Sequence, residues 1–379
     1  MRRVSLLFSV SLGLWGASFS GSVYDASTHQ PIAGALITAG TTTVRTDANG
    51  SFRIEAVDKS YGVRALGYER KRYISSGKVY LKPLKPKALY LSSFGASDKG
   101  IMDRALRLID TTELSALVID IKMDRGQIAY QTNHPLAKEI GAQKTVLIKD
   151  LPGFVAKLRS RGIYTIARIV SFKDSPLAHA KPEWAVKRNG ALFVDRENLS
   201  WVDPSRKEVW DYIIDIAEEA AQAGFDEIQF DYVRFPDAKG IEFSRPNTQQ
   251  MRVDAITGFL AEAKRRLTPY NVFISADIFG YTAWNSNDTN IGQKVEKIAP
   301  LVDYLSPMLY PSGFTFGIPG HRNPVQDPYA IVRKTLEASL KKSNNSPMAY
   351  RPWLQAFRDY AFDRRIFGGW EIREQIRAA

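Results

Sequence analysis

Asp120, Asp231 and Asp277 each stand near the end of an apolar run that reads as a β-strand. Strand alternation decides where their carboxyls point, because successive side chains face opposite sides of a sheet. In residues 226–231, Ile228 and Phe230 take the apolar face, so Gln229 and Asp231 share the other. In residues 116–122, Val118, Asp120 and Lys122 lie opposite Leu117, Ile119 and Ile121; in residues 273–277 the inward pair is Ser275 and Asp277. By the same rule other runs contribute Arg168, Met308, Tyr310, Trp353 and Gln355. Carboxyls converging among aromatic rings are equipment for cleaving a glycosidic bond. One protonates the leaving oxygen, another attacks or activates water, and sugar faces stack on the rings. Cations such as Arg168 and Arg234 would hold one carboxyl ionised while its partner keeps a proton.

The candidate catalytic residues are therefore Asp231, Asp277 and Asp120. The candidate substrate-binding residues are Lys122, Arg168, Gln229, Arg234, Tyr310, Trp353 and Gln355, with Trp201 and Asp203 added from a long loop. Asp203 precedes Pro204 and reads equally as the N-cap of a helix. The plainer alternative pairs Asp120 with Arg168 and Asp231 with Arg234 as ion pairs that turn nothing over.

The elements that must position these side chains alternate in type. Strands are expected at 88–94, 116–121, 163–170, 225–232, 272–278, 302–309 and 348–357, with helices at 99–110, 150–161, 204–223, 247–268, 291–299, 328–342 and 369–378. Such alternation, with its longest loops after strands, predicts a (β/α)8 TIM barrel whose active face lies at the strand C-termini. A doubly wound sheet is the competing fold. No eighth strand is legible after the last helix, so the expected barrel lacks it and reads as C-terminally truncated.

Residues 21–82 differ, with short β-branched runs and an Asp47-Ala48-Asn49-Gly50 turn that predict a small all-β domain. Residues 83–87, rich in Pro and Lys, read as a linker before a barrel domain at 88–379. Residues 1–20 combine Arg2-Arg3, a short apolar stretch and small residues, the pattern of a signal peptide. Export to the periplasm or beyond is the resulting expectation, with no membrane span left after cleavage. The Arg70-Lys71-Arg72 cluster reads as a solvated face, or else as a dock for an anionic envelope polymer.

The chain of 379 residues has no Cys and four His, which argues against thiolate chemistry and a His-rich zinc site. No cofactor and no metal are expected, and a metal-dependent deacetylase is disfavoured because no His falls among the mouth residues. The net charge is +12, and the first 83 residues contribute half of it with eleven Lys/Arg against five Asp/Glu. That distribution does not fit a nucleic-acid partner.

Two resemblances sharpen this picture. Gly21–Asp25, Pro31–Ile37 and Thr46–Phe52 resemble the carboxypeptidase regulatory-like (transthyretin-like) β-sandwich, which implies an accessory domain without catalytic residues. The runs Gly224-Phe225-Asp226-Glu227-Ile228-Gln229-Phe230-Asp231-Tyr232-Val233-Arg234-Phe235-Pro236, Ser275-Ala276-Asp277-Ile278-Phe279-Gly280 and Ser306-Pro307-Met308-Leu309-Tyr310-Pro311-Ser312 resemble the bacterial putative glycoside hydrolase domain family. So do Trp201-Val202-Asp203-Pro204 and Arg351-Pro352-Trp353-Leu354-Gln355-Ala356-Phe357. That family is distantly similar to the α-amylase-type hydrolases, whose nucleophile follows strand four and whose acid follows strand five. The resemblance implies Asp231 as nucleophile or base and sets Asp277 where amylases carry a Glu acid. The expected function is hydrolysis of an envelope or extracellular polysaccharide, an anionic one included. The alternative is a non-catalytic carbohydrate-binding or scaffold protein with a degenerate barrel.

Overall fold

The computed structural model describes residues 17–56 and 59–379. Packing divides the chain between Pro83 and Leu84 into two units. The first unit holds β1 (Ala17–Asp25), β2 (Leu36–Ala39), β3 (Thr42–Arg45), β4 (Ser51–Ala56), β5 (Tyr61–Arg64), β6 (Lys71–Tyr73) and β7 (Gly77–Leu81). They form a three-stranded sheet, β4-β1-β7, and a four-stranded sheet, β3-β2-β5-β6. Phe19, Val23, Ile37, Ile54, Tyr61 and Val79 fill one core. The anticipated turn is present: Asp47 Oδ1 accepts from the backbone of Asn49 and Ser51, and Gly50 takes φ +74°.

The expected leader boundary at residue 20 falls inside β1. Residues 17–20 pair with β4, and Phe19 is 6% exposed within the core. Residues 1–16 of that expected leader lie outside the described residues.

The second unit is an α/β fold. Its elements are β8 (Ala88–Leu91), α1 (Ser93–Ser97), α2 (Lys99–Thr111), β9 (Ala116–Lys122), α3 (Pro135–Glu139), α4 (Leu151–Ser160), β10 (Tyr164–Val170) and α5 (Ser175–Ala180). The two-residue strands β11 (Lys187–Arg188) and β12 (Ala191–Leu192) make a small hairpin in the loop that follows. Then come α6 (Lys207–Gln222), β13 (Glu227–Asp231), α7 (Gln249–Leu267), β14 (Phe273–Phe279), α8 (Val295–Ile298), β15 (Tyr304–Met308), α9 (Pro328–Ser343) and α10 (Gly369–Ala378). Six parallel strands in the order β8-β9-β10-β13-β14-β15 form a curled half-barrel flanked by helices. β9 and β10 are buried along their whole length, as expected of Val/Ile-rich strands covered on both faces. Leu117, Ile119, Ile169, Ile228, Phe230, Ile274 and Ala276 carry the helix side of the sheet into the main core.

The seventh expected strand is a correction. Residues 347–349 form a single 3₁₀ turn, and only Tyr350 and Trp353 bridge to Leu305 and Met308 on β15. Pro352 has no N–H to give, and the Gln355 N–H is taken by the Gln375 side chain of α10, so the pairing stops there. No eighth strand occurs among the described residues. The helix expected at 291–299 is a four-residue α8 followed by a 3₁₀ turn, Ala299–Leu301.

Candidate active site

The register brings the inward-facing acids together. Arg168 on β10 pairs with Asp120 on β9 and with Gln229 on β13. Phe230 pairs with Ala276, so the next positions along β13 and β14 are Asp231 and Asp277. Arg168 is the hub. Its Nε and Nη2 donate to Asp231 Oδ2 at 2.8 and 2.5 Å, its Nη1 to Asp120 Oδ1 at 2.6 Å, and Nη2 also reaches Asp124 Oδ1 at 3.0 Å. Asp231 Oδ1 accepts from the Tyr232 backbone N–H at 2.5 Å. Asp120 Oδ2 accepts from the Tyr90 hydroxyl at 2.6 Å. Burial pushes the Asp120 carboxyl above the usual range, with Arg168 and Tyr90 working against that rise.

Asp277 has a different environment. Its Oδ1 accepts from Trp353 Nε1 at 2.8 Å, while its buried Oδ2 has no hydrogen-bond partner among the described residues. Its side chain is 1% exposed. Burial first, and the neighbouring Asp231 second, push its pKa well above the ordinary value. Asp277 thus favours its protonated form more than an ordinary Asp does, one strand away from the Asp231 carboxylate that a guanidinium pairs. Among the described residues no group of three or more His, Cys, Asp and Glu is arranged to hold a metal.

A cleft of about 300 Å³ opens over this centre. Asp231, Arg168, Arg234 and Tyr310 line it, together with Arg196, Tyr232, Tyr281, Phe314 and Tyr360. Tyr232 adopts φ +48°, a conformation that costs a bulky L-residue about 1–3 kcal/mol. Buried Lys173 sits 4.9 Å from its ring and is itself anchored by Glu197 and Asp195 at 2.5 and 3.3 Å. The strained residue follows Asp231 directly, and its own N–H orients that carboxylate.

Other predicted residues lie elsewhere. Lys122 is turned out of the mouth because the register slips between Arg168 and Ile169, pairing Lys122 with Ile169 on the helix side. Its ammonium is fully buried, 2.8 Å from Asp174 Oδ2 and 2.8 Å from the Val170 carbonyl. Asp203 ties two loops, accepting from Ser205 N–H and Oγ and from the Ser244 N–H. Gln355, fully buried, bonds the Ser312 backbone N–H, the Ser312 hydroxyl and the Phe357 carbonyl. Trp201 is 2% exposed and donates to Asp195, so it supports the cleft from beneath. Gln229 donates to Ser306 Oγ at 3.1 Å inside the sheet's concave side. Trp353 touches Asp277 rather than the cleft and meets the Tyr90 ring edge-on.

Sequence reasoning missed Tyr90, Asp124, Arg196, Tyr232 and Tyr360. Tyr90 was recoverable from alternation in the first strand, since Leu89 and Leu91 flank it. Asp124 and Arg196 sit on loops, where no periodicity applies.

A family model described as "Putative glycosyl hydrolase domain" matches residues 88–379. No curated protein matches the chain in sequence. Among solved structures, a hypothetical protein from Ruminiclostridium thermocellum is 39% identical, covering 50% of this chain and 96% of its own, at a TM-score of 0.45. The PgaB (BpsB) glycoside hydrolase domain from Bordetella bronchiseptica is 16% identical, covering 78% of this chain and 91% of its own, at a TM-score of 0.56. At that identity the likeness to the Bordetella domain is one of fold. An α-galactosidase from Thermus thermophilus is 14% identical over 90% of this chain and 73% of its own, at a TM-score of 0.47.

Proposed function

The chain belongs to the glycosyl hydrolase domain family matched over residues 88–379, and from that premise we propose that it hydrolyses glycosidic bonds in an extracytoplasmic polysaccharide through Asp231 and Asp277. The observation that carries this reading is the placing, at successive positions of adjacent strands, of a guanidinium-paired carboxylate and a buried carboxyl whose Oδ2 has no hydrogen-bond partner among the described residues and whose pKa is pushed up. Asp231 faces the cleft and attacks the anomeric carbon. Asp277 releases its proton to the departing glycosidic oxygen and recovers one from the water that frees the glycosyl ester. Arg168 and the Tyr232 N–H hold Asp231 in the attacking orientation. Tyr310, Tyr232 and Tyr360 give sugar rings surfaces to stack on.

Export of the chain belongs to the same proposal, with the leader removed ahead of Phe19 so that this core residue stays in β1.

A non-catalytic glycan-binding role has one observation in its favour: Asp277 does not itself line the cleft. Incubating the purified chain with bacterial envelope polysaccharides separates the readings. Released reducing ends support hydrolysis, and binding without release supports the second reading.

A further inference from the structure

Arg168 spends its guanidinium on three carboxylates, but Arg234 spends its own on none. Arg234 follows β13 by three residues and lines the same cleft as Asp231. Its single hydrogen bond runs from Nη1 to the Phe235 carbonyl at 2.9 Å, and no carboxylate lies within ion-pair distance of it among the described residues. Yet it is firmly held. Its guanidinium carbon lies 4.9 Å from the Trp201 ring centroid and 5.4 Å from that of Tyr232. Trp201 is in turn fixed by its bond to Asp195, and Tyr232 by Lys173. Arg196, on the loop that carries Asp195 and Glu197, lines the cleft as well and has no ion-pair partner among the described residues. Stacked on two rings, Arg234 thus keeps Nε and Nη2 available as a planar donor fork.

A fixed, half-buried cation with no carboxylate paired to it is costly unless something else supplies that partner. Burial lowers the Arg234 pKa, a penalty that an arriving anion would offset. A neutral sugar hydroxyl accepts one hydrogen bond from such a fork, whereas a carboxylate or sulfate accepts two in parallel and neutralises the charge. Asp231, held by two Arg168 nitrogens and the Tyr232 N–H, favours the Arg234 charge from a distance but makes no hydrogen bond or ion pair with it.

We infer that the cleft takes a glycan bearing an oxyanion substituent, a uronate carboxylate or an ester sulfate, and that Arg234, with Arg196 beside it, binds that substituent. The inference rests on the proposed glycan site but not on turnover, so binding is the appropriate readout.

Affinity electrophoresis of the full chain tests it with paired polymers that differ only in charge: polygalacturonate against its carboxyl-reduced form, and dextran sulfate against dextran. Arg234→Met and Arg234→Lys are run beside the wild type, with melting temperature confirming that each is folded. The expected result is retention by at least one anionic polymer, tenfold or more tighter than by its neutral partner, which identifies carboxylate or sulfate as the ligand chemistry. Arg234→Met is expected to remove most of that preference. Arg234→Lys, which keeps the charge and loses the fork, is expected to retain an intermediate share. Equal retention of charged and neutral partners, no retention by either anionic polymer, or an undiminished preference in a folded Arg234→Met overturns the inference. Retention with no released reducing ends leaves it standing and sinks the hydrolase reading instead. Turnover without charge preference does the reverse.

Discussion

Asp277 and Asp231 take the next positions after the Ala276–Phe230 pair on neighbouring strands; Asp277 Oδ2 has no hydrogen-bond partner among the described residues, while Arg168 binds Asp231 through two nitrogens. Burial, and then the nearby Asp231 charge, make the ionised form of Asp277 costly and raise its pKa. Much of the site's behaviour follows from that difference.

The first consequence concerns stability against pH. Asp277's folded pKa is raised above its ordinary 3.8, so the folded state binds its proton more tightly than the unfolded chain does. Its contribution is fully present below the unfolded value and is lost as pH rises toward the folded one, by about 1.4 kcal/mol per pH unit within that window. Asp277→Asn removes the titration while keeping an acceptor for Trp353. The variant's melting temperature relative to wild type is expected to climb as pH rises above about 4. Parallel melting curves from pH 4 to pH 7 would count against a raised Asp277.

Arg168 joins Asp120, Asp124 and Asp231. Replacing it with Met strands buried carboxylates beside one another, and a cost of about 3–5 kcal/mol is expected. Adding Asp120→Asn removes one stranded charge and should restore part of the loss. Urea unfolding of the single and double variants measures it, and a double variant no more stable than Arg168→Met contradicts the hub.

How much of this was readable beforehand varied with the kind of structure involved. Alternation placed Asp120, Gln229, Asp231 and Asp277 together because β9, β13 and β14 run regularly through those positions. It failed at Lys122, where a one-residue slip at the end of β9 exchanges the faces and no sequence signal marks the slip. Asp203 and Gln355 are polar residues near the mouth by sequence, and loop closure consumes both. The strand expected around Trp353 reads as regular, but its bonds are shared between β15 and the Gln375 side chain, a tertiary contact that local pattern does not encode. The cleft's Arg234 was named from its position, but its lack of a carboxylate partner emerges only in three dimensions.

The stereochemical outcome also follows from spacing. Retaining enzymes hold their carboxyls about 5–5.5 Å apart, whereas inverting ones leave about 6.5–9.5 Å for an intervening water. The proposed role of Asp231 as nucleophile requires the shorter spacing, and its place on the strand next to Asp277 fits that role. Retention of anomeric configuration is expected, read by NMR of the first-formed product; an inverted anomer contradicts Asp231 as nucleophile.

Phe19 lies in the sandwich core, and its loss from a shortened β1 would forfeit about 1.5–3 kcal/mol of apolar burial. On the proposed export, mass spectrometry of the chain recovered outside the cytoplasm is expected to find an N-terminus at or before Phe19. A mature chain beginning at Gly21 or later would show that the sandwich closes without it.

The most direct measurement compares reducing-end release by wild type and by Asp231→Asn, with glycan binding followed on the same preparations. Rates are expected to fall by about 10³-fold or more while binding persists, since the amide can accept hydrogen bonds but cannot attack. Turnover by a folded Asp231→Asn within about tenfold of wild type would contradict the assignment of this carboxylate.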